Sequence, residues 1–148
     1  MIQTTYYVDS CIWLNLWKEE GDPTKGVPYY LLAQEFIEKV VLSDDKEIVY
    51  TGFVLKEIEF KLNDDNLFHE KLEFLGQEPK FRFIKSMPED YEFARRLESK
   101  FEFEICFIDC MHIAISKRLG YILVTRDKLL LEKAKVYILV DKPENLFP

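Results

Sequence analysis

With 148 residues, 48% of them hydrophobic and 15% aromatic, the chain is long enough to bury one full core, and a single domain over residues 1–148 is expected. No apolar run approaches the roughly 18 residues of a membrane span, and three cysteines without a CxxC pair argue against a disulfide framework or a structural zinc site. A net charge of −7 excludes the strongly basic footprint of a general nucleic-acid binder.

The N-terminus has no basic segment or small-residue cleavage site and opens directly on a strand-like run, Thr4 to Val8. A cytoplasmic protein is expected, with Cys11, Cys106 and Cys110 as small buried hydrophobes. Helical spacing follows from Cys11 to Trp17, a loop from Glu19 to Lys25, and a second helix from Tyr29 to Leu42. After a short loop at Ser43 to Asp45 come a strand over Glu47 to Tyr50 and two helices, Val54 to Leu62 and Leu67 to Leu75. Gly76 to Lys80 reads as a loop before a strand at Phe81 to Ile84. Ser86-Met87-Pro88-Glu89 has the form of a capping box and predicts a helix over Glu89 to Phe101. A sixth helix, Asp109 to Leu119, ends on basic Lys117-Arg118 and then Gly120, the pattern of a left-handed C-terminal cap. The chain closes with a strand at Tyr121 to Thr125, a helix at Lys128 to Ala134 and a strand at Val136 to Val140. Strands alternating with helices call for an open parallel sheet covered on both faces, with ligands at the carboxyl ends of its strands.

Charge is unevenly spread along the chain. Residues 1–74 hold 7 basic against 15 acidic side chains, and residues 75–148 hold 13 against 12. Arg82, Lys85, Arg95, Arg96, Lys117, Arg118, Arg126 and Lys128 are candidates for a face toward an anionic polymer, or for an ordinary solvated surface.

Two carboxylates stand in unsuitable surroundings. Asp9 is the only charge from Tyr6 to Leu14, and Asp109 the only one from Ile105 to Ile115. A lone acid in a core-forming run must become neutral, find donors or hold a cation. Each alone is equally readable as a helix N-cap or a buried hydrogen-bonding group. Glu57 has Phe53, Val54, Phe60 and Lys61 one turn away, mostly apolar, whereas Glu59 has Leu55, Lys56, Leu62 and Asn63, so Glu57 is modestly the better inward acid, with a plain surface glutamate the alternative. Asp127 follows the fourth strand, where it caps the next helix or faces a ligand. If the first and fourth strands are neighbours, all four acids converge on one sheet edge. Like charges that close cannot all stay ionised unaided, and a hard divalent cation resolves the conflict. Oxygen ligands suit Mg2+ or Mn2+ better than zinc, and such a cation suits phosphodiester hydrolysis. Ser10 and Thr125 are candidates to orient a carboxylate or water.

The chain resembles PIN-domain ribonucleases, including VapC-like toxins of toxin-antitoxin pairs. Tyr7-Val8-Asp9-Ser10 is similar to the family's opening acid, Val54-Leu55-Lys56-Glu57-Ile58 to its helix glutamate, Asp109-Cys110-Met111-His112 to its third acid, and Thr125-Arg126-Asp127 to its late Thr-x-Asp. The final strand and Pro143-Glu144-Asn145-Leu146 are also similar to the family's ending. The resemblance implies a three-layer α/β/α sandwich on a five-stranded parallel sheet in the order 3-2-1-4-5. It implies an endoribonuclease using Mg2+ or Mn2+ held by Asp9, Glu57, Asp109 and Asp127, with an RNA substrate, a small antitoxin partner and a homodimer. Cys11 departs from the small polar residue usual after Ser10 in the family, which affects contacts around the first acid.

Other classes fit less well. A haloacid-dehalogenase-like phosphatase needs an aspartate where Cys11 stands, and a phosphoacceptor domain needs a mid-sheet aspartate and late lysine that are not evident. A catalytically silent PIN-like binding domain, or an RNA-processing nuclease outside toxin-antitoxin systems, are the alternatives. His69 and His112 read as structural, although His112, one turn after Asp109, is also placed to touch the site. Trp13, Leu14, Leu16 and Trp17 read as a core or dimer stripe, and Tyr29 and Tyr30 as cover for a partner.

Overall fold

The computed structural model describes residues 1–147. Strand β1 (Thr4–Val8) leads into α1 (Ser10–Trp17), a 3-10 turn (Pro23–Lys25), α2 (Tyr29–Leu42) and β2 (Lys46–Tyr50). Then follow α3 (Gly52–Leu62), α4 (Asp65–Gln77), β3 (Phe81–Phe83), α5 (Pro88–Lys100), α6 (Phe107–Leu119), β4 (Ile122–Val124), α7 (Lys128–Ala134) and β5 (Val140–Asp141). The loop expected from Glu19 to Lys25 thus contains one 3-10 turn, stabilised where the Asp22 carboxylate accepts the Thr24 amide at 2.9 Å. The loop expected at Gly76 is the end of α4, which the Asp64 side chain caps by accepting the Leu67 amide.

The sheet is five-stranded, all parallel, in the order β3-β2-β1-β4-β5. β1 lies at its centre, with Tyr6 opposite Ile48 of β2 and Ile122 of β4. Alternation along β1 sends side chains to opposite layers. The Tyr6 ring meets Phe36 of α2 edge-on at 5.1 Å, whereas Tyr7 lies against His112 of α6. Tyr6, Tyr7 and Val8 are all buried, as expected of a central strand covered on both faces. Trp13 of α1, also fully buried, stacks on Trp17 and meets Phe81 edge-on, so the tryptophan stripe belongs to the core.

Two expectations differ from the structure. The apolar run from Val136 is not a strand: the Tyr137 and Ile138 amides bond back to the Ala134 carbonyl, making these residues the exit turn of α7. Only Val140–Asp141 pairs with β4, and Val136 and Leu139 are exposed. The start of α5 is shifted by one residue from the expected Ser86 box. Met87 occupies the cap position, and the Asp90 carboxylate, rather than Glu89, accepts its amide at 2.7 Å. Asp90 is selected because Arg118 holds its other face, an interaction between helices that local spacing does not encode.

Candidate metal centre at the carboxyl edge of the sheet

The strand order reverses between β1 and its two neighbours, which opens a crevice at their carboxyl ends. Asp9 leaves β1 at this point, and its amide donates to the Val124 carbonyl at 3.0 Å, fixing it beside β4. The side chain is 5% exposed and caps α1. Oδ1 accepts the Ser10 amide at 2.7 Å, and Oδ2 accepts the Thr125 hydroxyl at 2.8 Å. The Ser10 hydroxyl stands 3.5 Å from Oδ1, and the Cys11 thiol 3.6 Å from Oδ2. Asp9 is thus held from both sides by the two hydroxyl residues singled out in the sequence. Burial, and then the Asp9 charge, push the Cys11 thiol up to about 12, so it remains protonated.

Glu57 faces the same crevice from α3. It is half-buried beside Val54 and Ile58, while Glu59 and Phe60 are exposed. His112, buried completely on α6, joins the two acids: its Nε2 lies 3.2 Å from Glu57 Oε1 and 3.4 Å from Asp9 Oδ1. Its Nδ1 lies 2.7 Å from the Tyr7 hydroxyl, which is 2.8 Å from Thr51 Oγ1. Burial raises the Tyr7 phenol well above its ordinary range, so it stays neutral and has one proton to give. Nε2 faces only carboxylates and therefore carries a proton in either charge state of the ring. Burial works against a charged imidazole, but the Glu57 hydrogen bond and the charges of Asp9, Glu57 and Asp109 outweigh it and raise the His112 pKa. In the charged form Nδ1–H donates to Tyr7, and Tyr7 to Thr51, so the whole chain of groups is satisfied.

The ligand atoms of Asp9, Glu57 and His112 all lie within 4.8 Å of one another. The structure thus gathers two of the four sequence-singled acids and adds a histidine. Asp109 stands nearby in the first turn of α6 and half-buried. Burial, with Asp9 and Glu57 adding repulsion and His112 opposing it, pushes its carboxyl up to about 6. Asp127 is exposed and outside this group, because its Oδ1 accepts the Leu130 amide at 3.0 Å as the cap of α7. Its amide donates to Thr125 Oγ1 at 3.2 Å, one step from Asp9. His112 thus touches the site, as its place one turn after Asp109 allowed, whereas the supporting role of Tyr7 emerges only in the folded chain. The signal was a histidine and a tyrosine inside runs otherwise fit for a core, each needing a buried partner.

Four of the eight residues expected to form a basic face are engaged with acids of the same chain. Arg82 bonds Glu47 and the Tyr121 hydroxyl, Arg118 grips Asp90, Arg95 pairs with Glu98 over the Phe107 ring, and Arg126 pairs with Glu144 over Tyr29. The cysteines are all free, and Cys106 is exposed rather than buried, since it caps α6 outside the core. Among the described residues no helix is long and apolar enough to cross a membrane.

A sequence model of the PIN domain matches residues 6–136. No curated protein matches the chain. Several solved structures share its fold. VapBC2 from Rickettsia felis, bound to a DNA fragment from its promoter, superposes with a TM-score of 0.71 at 12% identity, covering 94% of this chain and 98% of the other. FitAcB from Neisseria gonorrhoeae gives 0.63 at 18% identity, covering 95% and 99%. A toxin-antitoxin complex from Klebsiella pneumoniae gives 0.64 at 14%, covering 95% and 98%. At these identities the likeness is one of fold.

Proposed function

The chain belongs to the PIN-domain family, and on that premise we propose that it is a cytoplasmic endoribonuclease that uses Mg2+ or Mn2+ to hydrolyse RNA phosphodiester bonds, as the toxin of a toxin-antitoxin pair. The observation that carries the reading is the convergence of Asp9 and Glu57 on His112 at the switch point of the sheet, with Asp109 in the first turn of the same helix as His112. Hard carboxylate oxygens gathered at one point fit a hard divalent cation.

Asp9, Glu57 and Asp109 would hold the ion. When bound, it supplies an activated water and stabilises charge on the phosphate oxygens. The chain's own groups do the positioning. Thr125 and the Ser10 amide fix both oxygens of Asp9, and His112 aligns Glu57 while Tyr7 and Thr51 hold the ring. Asp127 acts behind this layer, bracing Thr125 through its amide and closing α7 with its carboxylate. The toxin assignment is supported by the VapBC2 and Klebsiella structures, and it brings a small antitoxin as expected partner; a homodimer is proposed on the family resemblance alone.

The test is cleavage of total tRNA, rRNA and mRNA by purified protein. Activity with Mg2+ or Mn2+ should vanish in EDTA, and Asp9→Asn and Asp109→Asn should each lose more than the roughly 10–100-fold typical of groups behind a metal's direct ligands. Absence of metal-dependent cleavage would overturn the enzyme reading. Induced expression should arrest growth and Asp9→Asn should not; unaffected growth would leave a nuclease outside toxin-antitoxin systems.

A further inference from the structure

A cleft of about 370 Å³ lies beside the candidate metal centre, between the carboxyl ends of β2 and β3, the start of α3 and the start of α5. This size falls in the range of about 300–1,000 Å³ common to small-molecule pockets. Its wall on one side is Thr51, the last member of the hydrogen-bonded chain that runs through Tyr7 to His112. The cleft and the carboxylates therefore share one rigid support. Three aromatic rings line it, Phe53, Phe83 and Tyr91, the last two being 45% and 44% exposed. Phe83 is braced by Tyr50 and Tyr91 by Phe53, so neither ring is a loose surface side chain. Lys56 and Lys85 stand at the same cleft, and among the described residues neither forms an ion pair.

A second cleft of about 380 Å³ also joins rings, Phe101 and Tyr137, to lysines, but it carries the acid Glu132 in its lining and lies away from the carboxylates on α3 and β1. Four of the chain's five arginines are paired with acids, and its net charge is −7. Exposed rings braced by neighbouring rings, with two unpaired lysines lining the same cleft, fit a planar base with its adjoining phosphates. Aromatic platforms with basic neighbours bind single strands, because every base has a π-face and every linkage a negative charge. A purely apolar protein segment would leave both ammonium groups unmatched.

We infer that this cleft is a base-binding subsite for single-stranded RNA, where an unpaired base stacks on Tyr91 or Phe83 while adjoining phosphates meet Lys56 and Lys85. The inference deepens the nuclease reading and rests on it for the choice of RNA: the subsite sets which unpaired nucleotide brings its neighbouring linkage to Asp9 and Glu57. Lys56 and Glu57 are consecutive on α3 and so point to adjoining faces of that helix, Lys56 exposed and Glu57 half-buried, which sets the cleft and the carboxylates on neighbouring sides of one element.

The experiment is fluorescence anisotropy of a labelled, random-sequence single-stranded oligoribonucleotide with the full chain in EDTA, so that binding is read without cleavage. Tyr91→Ala and Phe83→Ala should each weaken binding by about 5- to 100-fold, the range of a lost base–aromatic stack, while Tyr91→Phe stays within about twofold of wild type. Lys85→Glu, which alters no packing, should also weaken binding, and thermal melting checks the fold of every variant. Wild-type affinity in folded Tyr91→Ala, Phe83→Ala and Lys85→Glu overturns the inference, including the case where the cleft receives a protein segment instead. Cleavage assays run in parallel separate the two claims. If RNA binds through the cleft and is never cut, the subsite stands and the nuclease reading fails. If RNA is cut, Asp9→Asn is inactive and the cleft variants keep both affinity and KM, the subsite fails and the nuclease reading stands.

Discussion

His112 shows how one buried side chain turns scattered acids into a site. It has no solvent exposure, and its two nitrogens meet Glu57 and Asp9 on one side and Tyr7 on the other. Replacing it with alanine removes the donor that aligns Glu57, and divalent-cation affinity by calorimetry should fall by about 10–100-fold, as for other groups that orient metal-binding acids. The cation-free protein should also carry a recognisable pH signature. Asp109 has a carboxyl raised from 3.8 to about 6, so the fold retains a proton that the unfolded chain releases, and stability declines as pH rises through that window. His112, raised from 6.5, contributes stability that is complete below 6.5 and is lost as pH rises through its folded value. Both effects have the same sign. Glu47, held below its ordinary 4.5 by Arg82, works in the opposite direction and weakens the fold as acid protonates it. In EDTA, Tm should therefore peak near about pH 5 and be lower at about pH 8 by on the order of 5 °C; Asp109→Asn should flatten that slope. A Tm independent of pH in this window would contradict the burial argument for Asp109.

At the scale of elements, α6 carries both Asp109 and His112, and its two ends make its position definite. Its last turn closes where Gly120, at φ 70° and ψ 31°, reverses the chain into β4. A Cβ there would meet nothing within 4 Å, so the cost of Gly120→Ala is conformational alone, about 1–2 kcal/mol by urea denaturation. The other tie is between helices. Asp90 of α5 is buried at 1% exposure, and both its oxygens accept from Arg118 of α6, at 2.7 and 2.9 Å. Arg118→Ala leaves that carboxylate without its partner. The loss should fall toward the lower end of the roughly 3–5 kcal/mol for breaking a buried pair, because Arg118 keeps some contact with water. A denaturation midpoint unchanged by this substitution would mean that α5 and α6 are held by apolar packing alone.

For the whole molecule, charge decides the manner of recognition. Broad attraction of RNA is not available to a chain with net charge −7 whose arginines mostly serve internal acids. Binding through Lys56 and Lys85 would neutralise about two phosphates, giving a slope of log K against log salt of about −1.4 for a single strand. A much steeper slope would require a wider basic surface than the sheet edge offers. Cation binding to the folded chain should raise Tm, by an amount that grows with the logarithm of Mg2+ or Mn2+ concentration above the Kd.

The alternation of strands and helices is legible along the chain, because local periodicity, caps and Gly120 act over a few residues. The sequence also marked Asp9, whose charge conflicts with an apolar run wherever that run lies. The 3-2-1-4-5 order came through family resemblance rather than periodicity, since neighbouring strands are separated by as much as 116 residues at the Thr125–Asp9 contact. Tertiary contacts alone set His112 between Asp9 and Glu57, commit the Asp127 carboxylate to a helix cap, and pair Arg82, Arg95, Arg118 and Arg126 with acids of the same chain. Each of these depends on which groups burial brings opposite one another. The same reason explains the run at Val136: its apolar, β-branched character favours a strand, but its amides are claimed by Ala134 before they reach the sheet.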